Sequence, residues 1–250
     1  MTTAERLKKV DEGLDKVEEL NAELATSLYG GDTGYRGYYD EFWDAYQDYG
    51  NRKDYAGGFS GRGWNATTFK PKYDIIVSSS ARYMFYGAGR VDFSKVDVKI
   101  DFSKCTDFTS TFMSGVKYID IDIDVSGREK EIDLNSTFSY HTVTRIKKLI
   151  VDEKVKYSNT FIEAADLVEL YVEGTIGNNI NIRWSTKLNR ASIESVINSL
   201  SPNTSGLTVT LSKTAVNNAF ETSEGVADGS SSAEWLTLVA TKPNWTISLA

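Results

Sequence analysis

The chain has 250 residues, with 35 acidic against 28 basic side chains and a formal charge of −7. That balance repels phosphate-rich and anionic-lipid surfaces, so nucleic acid is not an expected partner. Apolar residues make up 40% of the sequence, enough for a packed core, yet no run of 18 apolar residues offers a membrane span.

The opening segment MTTAERLKKVDEGL is charged and has no apolar signal core, so synthesis in a cytoplasm and no membrane insertion are expected. The lone cysteine, Cys105, permits no intrachain disulfide. Residues 1–30 read as a coiled-coil oligomerisation stem. Leu7, Val10, Leu14, Val17, Asn21, Leu24 and Leu28 fall at a and d positions in unbroken 3-4 alternation, with charged residues elsewhere. Leu at a (Leu7, Leu14) with Val at d (Val10, Val17) shifts preference from dimers to higher states, and a homotrimer is expected. Asn21, the one polar seam residue, would fix register and strand number. Residues 31–54 read as a linker and a capping helix. The glycine-rich YGGDTGYR at 29–36 breaks the stem, and Tyr39, Phe42, Trp43 and Tyr46 then recur at helical spacing.

From residue 55 the chain repeats. Phe59, Phe85, Phe112, Phe138 and Phe161 recur at intervals of 26, 27, 26 and 23 residues. Each closes a recurring tripeptide, preceded in turn by Gly57-Gly58, Tyr83-Met84, Ser110-Thr111, Ser136-Thr137 and Asn159-Thr160. Runs with strand character follow three of them, at Val116–Val125, Val143–Val151 and Leu167–Val172. A 25-residue unit cannot bury both faces alone, whereas stacked units bury the phenylalanines as one column. The expected fold class is therefore α+β: a coiled-coil helix, then a leucine-rich-repeat-like β-solenoid over 55–185 with helical caps. Residues 186–250 read as terminal capping repeats. They comprise a helix at Ala191–Leu200, a strand at Leu207–Leu211 and a helix at Thr214–Phe220. A Gly/Ser loop at 225–232, a helix at Ala233–Ala240 and a strand at Trp245–Leu249 complete them.

No familiar active site assembles. His141 is the only histidine and Cys105 the only thiol, too few for a zinc site, and no P-loop, GxSxG or post-strand GxGxxG is present. The sharpest cluster is Asp120, Asp122 and Asp124 in YIDIDIDVSG, which strand alternation would place on one face. Calcium binding or paired-carboxylate chemistry is one reading, but Val125 stands where an EF-hand loop needs Gly. A solvated strand face, with Ile119, Ile121, Ile123 and Val125 inward, is the expected one. Together with Tyr140 the three aspartates form a possible ligand face that could hydrogen-bond sugar hydroxyls. Most tryptophans are expected in the core.

At Met84-Phe85, Thr111-Phe112, Thr137-Phe138 and Thr160-Phe161 the chain resembles BspA-type leucine-rich-repeat proteins. The wider pattern, in FWDAYQDYGNRKDY, TFKPKYDI, LTVTLSKTAVNNAFE and ATKPNWTISL, resembles such proteins encoded by prophages of gut Firmicutes. The resemblance covers about residues 38–250, although leucine is sparse at its repeat positions. It implies a non-enzymatic, cofactor-free receptor-binding protein of a phage tail or baseplate. Such a protein would be assembled in the host cytoplasm and carried extracellularly in the virion. Other tail proteins would join its N-terminus, and a host-surface glycan or protein would meet the repeats. A BspA-like cell-surface adhesin and a protein–protein interaction scaffold are the alternatives.

Overall fold

The computed structural model describes residues 75–77, 79–88, 93, 100–140, 142–220 and 228–250, together with Lys16. The expected stem seam, the capping helix, Phe59 and His141 lie outside the described residues.

Among the described residues, eight strands pair in parallel in three small sheets. β1 (Ile75–Ile76) lies beside β2 (Ile100–Asp101). β3 (Tyr118–Asp124), β4 (Arg145–Val151) and β5 (Glu169–Gly174) form the long face. β6 (Ile180–Ile182), β7 (Leu207–Leu211) and β8 (Trp245–Leu249) form the third. Each strand therefore pairs with the strand one coil away, which makes the chain a β-solenoid of about three turns. Single-residue bridges at Ser80–Asp107 and Asp133–Lys156 carry the pairing round a second side.

The phenylalanine column is the axis of this core. Phe85, Phe112, Phe138 and Phe161 are fully buried, and successive ring centroids lie 5.4, 5.8 and 5.6 Å apart with nearly parallel planes. These spacings match offset stacking at the rise of one strand per coil. The backbone around each ring repeats as strictly as the side chain. The residue two before each Phe (Tyr83, Ser110, Ser136, Asn159) has φ of 54–56°. The residue two after (Gly87, Ser114, Tyr140, Glu163) is also left-handed, at 50–71°. These bends turn alternate N–H groups along the solenoid axis. Phe85, Phe112 and Phe138 donate to Thr111, Thr137 and Thr160 of the next coil at 2.8–3.0 Å. Thr111, Thr137 and Thr160 are buried, and their hydroxyls bond back to the carbonyls of Ala81, Phe108 and Leu134 one coil earlier, at 2.8–3.0 Å. Threonine before the anchor thus satisfies a carbonyl that burial would otherwise leave costly.

The strands begin two residues later than the hydrophobic runs suggest. The Lys117 carbonyl accepts from both Thr144 (2.8 Å) and Arg145 (3.2 Å), and the Thr144 carbonyl accepts from both Val168 and Glu169. This shared acceptor marks a bend, so regular pairing starts only at Tyr118, Arg145 and Glu169.

The C-terminal segments match their sequence patterns closely. α1 (Arg190–Asn198) starts at Asn189, whose side chain caps the Ser192 N–H, and buries Ile193, Val196 and Ile197. It replaces a strand: Ser192 and Ser195 hydroxyls accept the Leu170 and Val172 N–H groups at 2.8 Å, covering the open edge of β5. α2 (Lys213–Phe220) and α3 (Ala233–Ala240, capped by Ser232) close the end. The expected Gly/Ser loop differs. Within it, Gly229–Ser231 is a 3-10 turn set by the Asp228 carboxylate. Of the tryptophans described, Trp235 and Trp245 are buried, and Trp184 is exposed beneath the Arg183 guanidinium.

Cys105 is fully buried, and burial pushes its thiol up to about 12. Native protein should therefore resist a thiol reagent at pH 8 and react only after unfolding. A single rapidly labelled cysteine in native buffer would show that this coil opens locally.

Candidate functional site

The long face begins with the three aspartates, and coil register decides what they do. Ile119 faces Ile146 and Asp122 faces Lys148, so β3 carries one more residue over this stretch: a β-bulge at 120–121. The bulge interrupts simple alternation, leaving Ile121 only partly buried beside the fully buried Ile119, Ile123 and Val125. Asp120 accepts Nε and Nη2 of Arg145, each at 2.7 Å, in a bidentate fork. Asp122 lies 3.6 and 3.7 Å from Lys147 and Lys148, and Lys148 reaches Glu173 of the next coil at 3.0 Å. Asp124 accepts the N–H and hydroxyl of Ser126 at 2.9 and 2.8 Å, turning the chain out of β3. The acidic strand is thus answered by the basic RIKK segment of the coil beside it. Among the described residues no three His, Cys, Asp or Glu side chains gather as metal ligands would.

These ion pairs are partly exposed, so solvent and salt screen them and each is individually weak. The Asp120–Arg145 fork is the most enclosed, and hydrogen bonding to Asp120 raises the Arg145 pKa. Asp120→Asn should lower stability by no more than about 1 kcal/mol in low salt. Urea melts at 20 mM and 500 mM NaCl would show that difference shrinking as salt screens the pair. A salt-independent loss of several kcal/mol would refute the surface assignment.

An open cleft of about 440 Å³ lies at the upstream end of the same face, lined by Lys117, Tyr118, Thr142, Thr144, Asp166, Val168 and Lys187. Its backbone is rigid: Thr144 donates to Lys117, Val168 to Thr144, and Asn189 to Val168, at 2.8, 2.9 and 2.9 Å across successive coils. Lys187 is held to Asp166 at 2.7 Å. Lys117 has no carboxylate partner among the described residues; its ammonium lies 5.2 Å from the Tyr118 ring centroid, as does the Arg145 guanidinium. The Thr142 hydroxyl is buried without a hydrogen-bond partner. Tyr140, two residues upstream, is exposed in a left-handed conformation locked by its N–H bond to the Ile162 carbonyl at 2.8 Å.

Of the residues singled out from sequence, Asp120 reaches the cleft only through Arg145 and Tyr118, and Tyr140 flanks it by chain position. Asp122 and Asp124 are engaged further along the strands. The cleft residues themselves carry no linear motif. Lys117, Tyr118, Thr142, Thr144, Asp166 and Val168 do share one signal: each lies four to seven residues after its repeat phenylalanine. Aligning the repeats on Phe112, Phe138 and Phe161 places them in one band, four positions wide. No family model, curated protein or solved structure matches the chain.

Proposed function

We propose that the chain is a non-enzymatic binding protein of the phage tail or baseplate type. In this reading its repeats are those of BspA-like leucine-rich-repeat proteins, and its solenoid is displayed to a host-surface glycan or protein. The N-terminal stem gathers three copies and joins them to other tail proteins. The observation carrying the binding role is the cleft across successive coils: a rigid backbone presents lysine, threonine, tyrosine and aspartate side chains to solvent. Rigid placement of a few polar groups beside aromatic rings is what recognition of a polar surface ligand requires. The phage setting rests on the sequence resemblance.

Fluorescently labelled full-length chain should bind Firmicutes cells saturably and be displaced by excess unlabelled chain, read by flow cytometry. No saturable binding across a panel of such strains would refute the reading. Light scattering on the full chain should give the mass of three 27.8 kDa copies, while a chain beginning at Tyr35 should run as a monomer. A monomeric full-length chain would remove the stem from the proposal; a dimer would keep the coiled coil and refute the trimer.

A further inference from the structure

We propose that the cleft at Lys117, Thr144 and Asp166 is a saccharide subsite selecting a sugar that carries an anionic group, a carboxylate or a phosphate. The inference rests on the surface-binding reading and names the ligand class of its cleft. Two lysines and one aspartate line the cleft. Asp166 neutralises Lys187 at 2.7 Å, which leaves Lys117 as the cation facing the cleft without a carboxylate. Its position is held from below by the Tyr118 ring. Around that charge the lining is polar, with Thr144 and Asp166 beside the Tyr118 ring in the cleft wall. Thr144 and the outer oxygen of Asp166 offer further donors and acceptors, as adjacent sugar hydroxyls need. Arg145, forked onto Asp120, is a positioning residue: it lies 5.2 Å from the same Tyr118 ring and helps fix it. Exposed Tyr140 is the ring nearest in sequence that is free to stack on a sugar face.

The test is isothermal titration calorimetry on the full-length chain with three probes: tetragalacturonate, glucose 6-phosphate and neutral maltotetraose. At least one anionic probe should bind, and maltotetraose should bind at least tenfold more weakly; which anionic probe binds distinguishes carboxylate from phosphate. Lys117→Met keeps the alkyl stem over Tyr118 and should weaken the bound anionic probe by about tenfold or more. Thr144→Val keeps the shape and should weaken it by about three- to tenfold while leaving the melting temperature unchanged. A merely structural threonine would not separate binding from stability in that way. The proposal is overturned if neither anionic probe titrates, if maltotetraose binds as tightly, or if both variants bind like the parent chain. Cell binding by the parent chain without any titration would sink the cleft assignment alone. Titration without cell binding would sink the surface reading and keep the site.

Discussion

Phe138→Ala should destabilise the protein by about 3–5 kcal/mol, the usual cost of emptying a buried aromatic site. The ring is fully buried and stacks on Phe112 on one side and Phe161 on the other, at 5.8 and 5.6 Å. Little nearby can collapse into the space, because the Thr137 and Thr160 hydroxyls tie the flanking backbone to the preceding coils. For a chain of this size the change corresponds to a fall in melting temperature on the order of 10 °C. Phe161→Ala should cost less by about 1 kcal/mol, since among the described residues Phe161 stacks on one ring where Phe138 stacks on two. A Phe112→Ala/Phe138→Ala double-mutant cycle should show coupling above about 0.5 kcal/mol. An unchanged melting temperature in Phe138→Ala would mean that the column does not hold the coils together.

The column was legible in the sequence because it repeats in the one residue type with no polar alternative. Phe85, Phe112, Phe138 and Phe161 recur at near-constant intervals, and the threonines before three of them recur with them. The bends around them were not legible. Left-handed positions announce themselves when glycine fills them, but here Tyr83, Ser110, Ser136 and Asn159 occupy one such column, and Ser114, Tyr140 and Glu163 share the other with Gly87. At Tyr83, Gly87, Ser110, Ser114, Ser136 and Tyr140 the backbone N–H bonds to the next coil, information that lies about 25 residues away in sequence. The strand starts were misplaced for a related reason. Hydrophobicity begins at Val116 and Val143, while the shared Lys117 and Thr144 carbonyls delay the ladder.

The candidate site shows the same division more sharply. YIDIDIDV stood out because like charges alternate along one strand. What those charges face depends on register, and register depends on a bulge that no local pattern records. The fork between Asp120 and Arg145 spans 25 residues, the Lys148–Glu173 pair spans another coil, and both rise from the strand pairing alone. A row of acids along the chain is therefore a set of rungs across it. The cleft is built the same way, one or two residues from each coil, and so has no motif to read.

Gly174→Ala should be the most damaging small substitution on the long face, costing about 2–6 kcal/mol from backbone strain and overpacking together. Gly174 ends β5 with φ at +94°, where L side chains are strained, and an added Cβ would lie 2.1 Å from the Val151 carbonyl oxygen. That oxygen belongs to the β4 end of the ladder, where Val151 pairs with Gly174 and accepts the Thr175 N–H at 3.2 Å. Relief requires either moving β5 from β4 or rotating Gly174 out of its conformation, and both break that bond. Gly127 supplies the control. Its φ is +68°, but a Cβ there meets nothing within 4 Å, so Gly127→Ala carries the backbone cost alone, about 1–2 kcal/mol. Urea denaturation of the two variants with unchanged m-values should place the Gly174→Ala midpoint well below that of Gly127→Ala. If the two fell together, the close approach of β4 to β5 would not be a constraint, and the ladder at the downstream end of the face would have room for a side chain at Gly174.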